Sequence, residues 1–175
     1  MNSLLGGAAA PGFDDPLEML HACHGRIEAQ CDTLHRLLQH LDTNGNDDQA
    51  GQAARAILRY FDTAGQHHHQ DEERDLFPLL RATHDQTAAA LVARLLSEHQ
   101  KMDAAWQRLH PLLVGLSEDG ADKLDAEVVE HFISLYAQHI ALENGSLLPL
   151  AGTLLNERQL RSLGDSMAAR RGVVR

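Results

Sequence analysis

Apolar residues recur along this chain at steps of three and four, the spacing of one face of an α-helix. The first such stripe runs through Leu17, Leu20, His24, Ile27, Cys31, Leu34, Leu38 and Leu41, and Asp14, Asp15 and Pro16 open it in the manner of a helix start. A polar turn over residues 42–48 ends it, with Asp47 or Asp48 placed to cap the second helix. That turn has a passing likeness to a calcium loop but lacks the twelve-residue ligand spacing and the closing Glu. The second helix, about 48–83, puts Ala53, Ile57, Phe61, Ala64, His68, Glu72, Leu76 and Leu79 on one stripe, with Gly65 irregular and Pro78 expected to kink or end it. A third, about 86–116, carries Val92, Leu95, His99, Met102, Trp106, Leu109, Leu113 and Leu116, with a kink expected at Pro111. A fourth comes after the turn at 117–120 and shows Leu124, Val128, Phe132, Leu135, His139, Leu142, Glu143 and Leu147. Past Pro149 and Gly152 a short fifth helix, from Asn156 to about Arg170, is expected to lie across one end, with Arg161, Arg170 and Arg171 as a basic edge. The prediction is an all-α fold, an up-down-up-down four-helix bundle with a short C-terminal fifth helix, spanning residues 14–171 behind a flexible N-terminus at 1–13.

Composition agrees with one helical domain of 175 residues, rich in Leu and Ala and with only 4% aromatic residues. A net charge of -10 argues against nucleic acid and anionic membrane surfaces as partners. No apolar run approaches the ~18 residues of a membrane span. The N-terminus lacks the basic start of a secretory signal, so a soluble cytoplasmic protein is expected. Cys23 and Cys31 fall on one helix about 12 Å apart, too far for a disulfide, and Cys31 reads as core.

Twelve histidines are the anomaly. His21, His35 and His40 fall off the first stripe and read as solvated, and His84 and His110 lie outside the third. His24 and His99 sit mid-stripe on the first and third helices. On the second and fourth, His68 precedes Glu72, and His139 precedes Glu143, by one helical turn, which puts each imidazole and carboxylate on the same face, about 5–6 Å apart at Cβ. Each of these pairs is followed by a Leu and, ten residues after its His, by Pro78 or Pro149. A lone inward histidine is usually a hydrogen-bonded core residue, but two buried carboxylates without a Lys or Arg on the same stripes cost several kcal/mol unless paired or metal-bound. Four imidazoles and two carboxylates on one layer outline a dinuclear metal site. Without thiolates, and with more donors than tetrahedral zinc needs, the mixture favours iron or manganese, with Glu72 and Glu143 as bridges and each imidazole oriented through its other nitrogen.

The combination of His24, the run His68 to Pro78, the Glu98-His99 pair, and His139, Ile140, Glu143, Leu148 and Pro149 resembles the hemerythrin-like HHE cation-binding domain, over about 16–171 if the Met167 to Arg171 ending is included. The resemblance implies two iron ions, oxo- or hydroxo-bridged, that react with dioxygen, peroxide or nitric oxide, held by His24, His68, Glu72, His99, His139 and Glu143. Oxygen-carrying members have a further third-helix histidine four residues after the first, and here that place holds Asp103. Asp103, His69 or solvent would then complete the position served by His99. This departure lowers the carrier reading and raises redox chemistry or iron handling. The expectation is a metal- and oxygen-binding protein rather than a dedicated enzyme. The alternatives are iron storage or sensing without turnover and a helical interaction module built on structural zinc. His67 and His69 flank His68 on either side of the helix, and Glu73 reads as facing solvent; Met102, Trp106 and Tyr136 read as core. Nothing in the pattern sets an oligomeric state.

Overall fold

A computed structural model describes residues 12–118 and 120–174, and all regular structure among them is helical. The expected flexible N-terminus falls mostly outside the described residues. The first helix, Pro16–Asn44, starts where Asp15 accepts a hydrogen bond from the Glu18 amide at 3.2 Å and stops at Gly45, whose φ of 72° favours a residue without Cβ. Asp47 caps the second helix through the Ala50 amide. That helix runs from 48 to 82 without a break, as α-helix Asp48–Tyr60, a π-helical turn Phe61–Gly65, α-helix Gln66–Gln70, a second π turn Asp71–Leu76, and α-helix Phe77–Ala82. The third helix, Gln86–Glu118, continues through Pro111. The fourth is Ala126–Leu142, a π turn Glu143–Leu147, and Leu148–Leu154. The fifth, Glu157–Arg170, opens on a capping box between Asn156 and Gln159.

Pro78 does not end the second helix, nor does Pro149 end the fourth. A proline has no amide hydrogen to give and crowds the carbonyl four residues back. Both come at once after a π turn, where the helix is already widened and the lost bond is absorbed. The π turns also correct the inward stripe of the second helix: Ala64 is exposed, Leu79 is only half-buried, and Gly65 and Leu80 turn inward, while ahead of them Ala54 rather than Ala53 is buried.

Two apolar clusters divide the interior. One holds Ile27 to Leu41 of the first helix, Ala50 to Phe61 of the second, Met102 to Leu116 of the third and Val129 to Ile140 of the fourth. The other takes Leu20, then Leu76 to Leu80, Ala88 to Leu95 and Leu147 to Ala151, with Leu163 and Met167 of the fifth helix. Each successive helix passes between the clusters in the opposite direction, which is the up-down-up-down order. Between them lies a buried polar layer: His24, His68, Glu72, His99, His139 and Glu143, all at most 1% exposed. No helix among the described residues is long and apolar enough to cross a membrane.

Candidate metal centre

Each long helix delivers its share of this layer at the level where the apolar clusters meet. Ligand atoms converge in two groups, His24, His68, Glu72 and Glu143 in one, and Glu72, His99, His139 and Glu143 in the other, each within 4.8 Å. Both glutamates belong to both groups. Glu72 turns Oε1 toward His68 Nε2 (3.2 Å) and His24 Nε2 (3.9 Å), and Oε2 toward His99 Nε2 (3.3 Å). Glu143 turns Oε2 toward His24 Nε2 (2.9 Å) and Oε1 toward His139 Nε2 (3.4 Å). Glu72 lies within a π turn and Glu143 begins one.

The free valences of these groups test whether a metal suits them. All four glutamate oxygens, with His24 Nε2 and His68 Nε2, are buried and take part in no hydrogen bond, although imidazole nitrogens stand within ion-pair distance. Closeness without hydrogen-bond alignment is the arrangement of donors that face a common ion, and four imidazoles with two carboxylates are the donor set that mid-series divalent metals take. In the absence of a cation the layer balances itself with protons. Burial works against a charge on His24, but Glu143 and Glu72 hold its pKa up to about 10; burial likewise opposes charge on His99, which Glu72 and Glu73 raise to about 9. Burial favours neutral Glu72, yet His68, His24 and His99 hold it well below the usual carboxylate range.

Three of the four imidazoles are oriented through Nδ1. A carboxylate or amide oxygen can only accept, so Nδ1–H donates and Nε2 is the nitrogen turned to the centre. His24 donates to Asn144 Oδ1 (2.6 Å), His99 to Glu73 Oε1 (2.7 Å) and His139 to Glu98 Oε2 (3.0 Å), with Arg94 anchoring Glu98 at 2.8 Å. Sequence reasoning expected such acceptors but named none, and it placed Glu73 in solvent. Its side chain is 42% exposed and still reaches His99. A signal was available, because each acceptor is the chain neighbour of a layer residue: Glu73 follows Glu72, Glu98 precedes His99, and Asn144 follows Glu143.

His69 and Asp103 join neither group. His69 is buried but stacks on the His99 ring, centroids 4.1 Å apart, and lies nearly parallel to the Tyr136 ring at 6.1 Å. Burial, and then the charge on His99, keep it neutral. Asp103 is exposed. Tyr136 and Met102 are core, as expected, whereas Trp106 is half-buried and donates to Asp62 at 3.1 Å. The off-stripe histidines lie at the surface, where His35 meets Glu130, His40 meets Asp47 and His110 meets Asp62.

The model of the hemerythrin HHE cation-binding domain matches residues 15–151, which takes in all six layer residues and ends before the fifth helix. An uncharacterized protein of Haemophilus influenzae is 33% identical over 161 residues, 92% of each chain. With a buried layer of histidine and glutamate able to hold metal at its centre, the chain belongs to the hemerythrin HHE cation-binding family.

Proposed function

We propose that the protein holds two iron ions, one at His24 and His68 and one at His99 and His139, with Glu72 and Glu143 spanning both, and that it reacts with dioxygen, peroxide or nitric oxide or handles iron. The observation that carries this reading is the split of each carboxylate, one oxygen turned to each half of the layer, with neither oxygen hydrogen-bonded. A hydrogen-bonded structural glutamate has no reason to be shared in this way. Two imidazoles and two carboxylate oxygens per position leave coordination sites for a small ligand. Bound there, a pair of irons supplies electron transfer to oxygen- or nitrogen-based oxidants. The protein orients the ligands through Asn144, Glu73 and Glu98 and surrounds the layer with two apolar clusters that limit water. With Asp103 exposed and outside both groups, the His99 position has no third imidazole, which favours chemistry or iron handling over reversible oxygen carriage.

Elemental analysis of protein purified from iron-supplemented cells, with its ultraviolet-visible spectrum before and after dithionite and air, tests this. The expected result is about two irons per chain and near-ultraviolet bands that bleach and return. One zinc per chain, or no metal, with a featureless spectrum would overturn it in favour of a structural helical module.

A further inference from the structure

We propose that the two metal positions are unequal: the position at His99 and His139 binds a divalent ion the more tightly, and the position at His24 and His68 is the exchangeable one. This rests on the reading of the six residues as a two-ion centre, and it concerns what stands behind them. Both halves of the chain share one plan. The residue after each bridging glutamate accepts from the histidine of a neighbouring helix, Glu73 from His99 and Asn144 from His24. The residue before the third-helix histidine, Glu98, accepts from His139. Its counterpart before the first-helix histidine is Cys23. His68 Nδ1 is buried with no hydrogen-bond partner among the described residues, while the Cys23 sulfur takes a hydrogen bond from Arg26 at 3.1 Å.

The chemistry of the acceptors therefore divides by position. Behind His99 and His139 stand two carboxylates. Behind His24 stands a neutral amide, and His68 Nδ1 has no hydrogen-bond partner among the described residues. A carboxylate on Nδ1–H makes the imidazole a stronger donor at Nε2 and fixes its ring, and such outer partners are typically worth about 10- to 100-fold in metal affinity. Solvent screens Glu73, whose side chain is 42% exposed, but its 2.7 Å bond to His99 ends on a carboxylate, whereas the His24 bond ends on a neutral amide. Glu98 is better sheltered, at 18%, and held by Arg94. The bridging glutamates are common to both positions and cannot produce the difference.

Anaerobic titration of the metal-free full-length protein with ferrous ion, read by competition with a coloured chelator, tests the inference. Wild type is expected to take up two ions in two steps, the second at least about 10-fold weaker. Repulsion between the ions would split the steps even for equal positions, so the variants assign them. Glu98→Gln and Glu73→Gln should each weaken the first step by about 10-fold or more, and Asn144→Asp should tighten the second by about 10-fold. If the positions are equal, Glu98→Gln leaves the first ion to the intact His24 position and weakens only the second step, which overturns the inference. A single wild-type step for two ions overturns it as well while leaving the two-ion centre standing. Saturation below two ions removes both. Circular dichroism identifies any variant that fails to fold, and Glu73→Gln and Glu98→Gln are independent of one another in that respect.

Discussion

At the scale of single residues, the buried layer competes for one resource, positive charge, which protons or metal ions supply. His24 is held up to about 10, and His99 to about 9, against an ordinary value of 6.5. A raised folded-state value contributes stability that is fully present below 6.5 and is lost as pH rises through the folded value. The metal-free protein should accordingly lose stability between about pH 7 and pH 10. On the proposed ligation the same nitrogens bind metal and carry no proton, so metal gains on its competitor as pH rises. Thermal melts of the two forms should separate progressively across that range, and uptake near pH 7 should release protons into a weakly buffered solution; a constant separation with no proton release would contradict this. Glu72→Gln removes a donor common to both positions while keeping the side chain's shape. Its expected phenotype is fewer than one ion per chain by elemental analysis, with an unchanged helical circular dichroism spectrum.

Among the elements, the first and third helices were legible almost residue by residue, since an uninterrupted α-helix keeps the three-and-four rhythm. The second was less so. Its π turns at Phe61–Gly65 and Asp71–Leu76 each shift the phase, so Ala64 was expected inside and stands outside, while Gly65 takes the inward place. The six-residue layer was legible because His68 and Glu72, and His139 and Glu143, keep one-turn spacing despite the neighbouring π turns. Its acceptors were not, because they reach across to another helix, and spacing within one helix says nothing of that. The two kinds of glycine show the difference in energetic form. A Cβ on Gly65 would meet Phe61 Cδ1 at 3.3 Å, and Phe61 is 2% exposed and packed among Trp106, Phe132 and Tyr136. Gly25, in an α-helical stretch, has nothing within 4 Å of that point. Gly65→Ala should thus destabilise by about 1 kcal/mol, the cost of overpacking outweighing the helical preference for alanine, whereas Gly25→Ala should stabilise by roughly 0.5–1 kcal/mol. Urea denaturation of the metal-free protein reads both, and equal effects would remove the phase shift as the cause.

For the whole molecule, the fifth helix is more than a cover over one end. The sequence suggested a basic edge at Arg161, Arg170 and Arg171, but Arg170 and Arg171 turn inward onto Asp71, which is 0% exposed. Arg170 also reaches Asp75 at 2.6 Å, and Arg171 donates to Asp71 Oδ2 at 2.6 Å and to the Met167 carbonyl at 2.9 Å. Asp71 opens the π turn that carries Glu72, so the last helix is fastened to the backbone that presents a carboxylate shared by both groups of the layer. The pairing is asymmetric in its consequences. Removing both arginines strands a fully buried carboxylate, a loss in the range of about 3–5 kcal/mol. Removing the carboxylate leaves two guanidiniums that are already 14% and 19% exposed, and Arg170 keeps its pairing with Asp75. Asp71→Ala should therefore cost less than the double variant Arg170→Ala, Arg171→Ala, and the triple variant should recover much of the loss seen in the double. Thermal melts of the metal-free proteins supply the comparison. If the three variants were equally unstable, the buried charge would not be what the arginines answer, and the fifth helix would be held by Leu163 and Met167 in the apolar cluster alone.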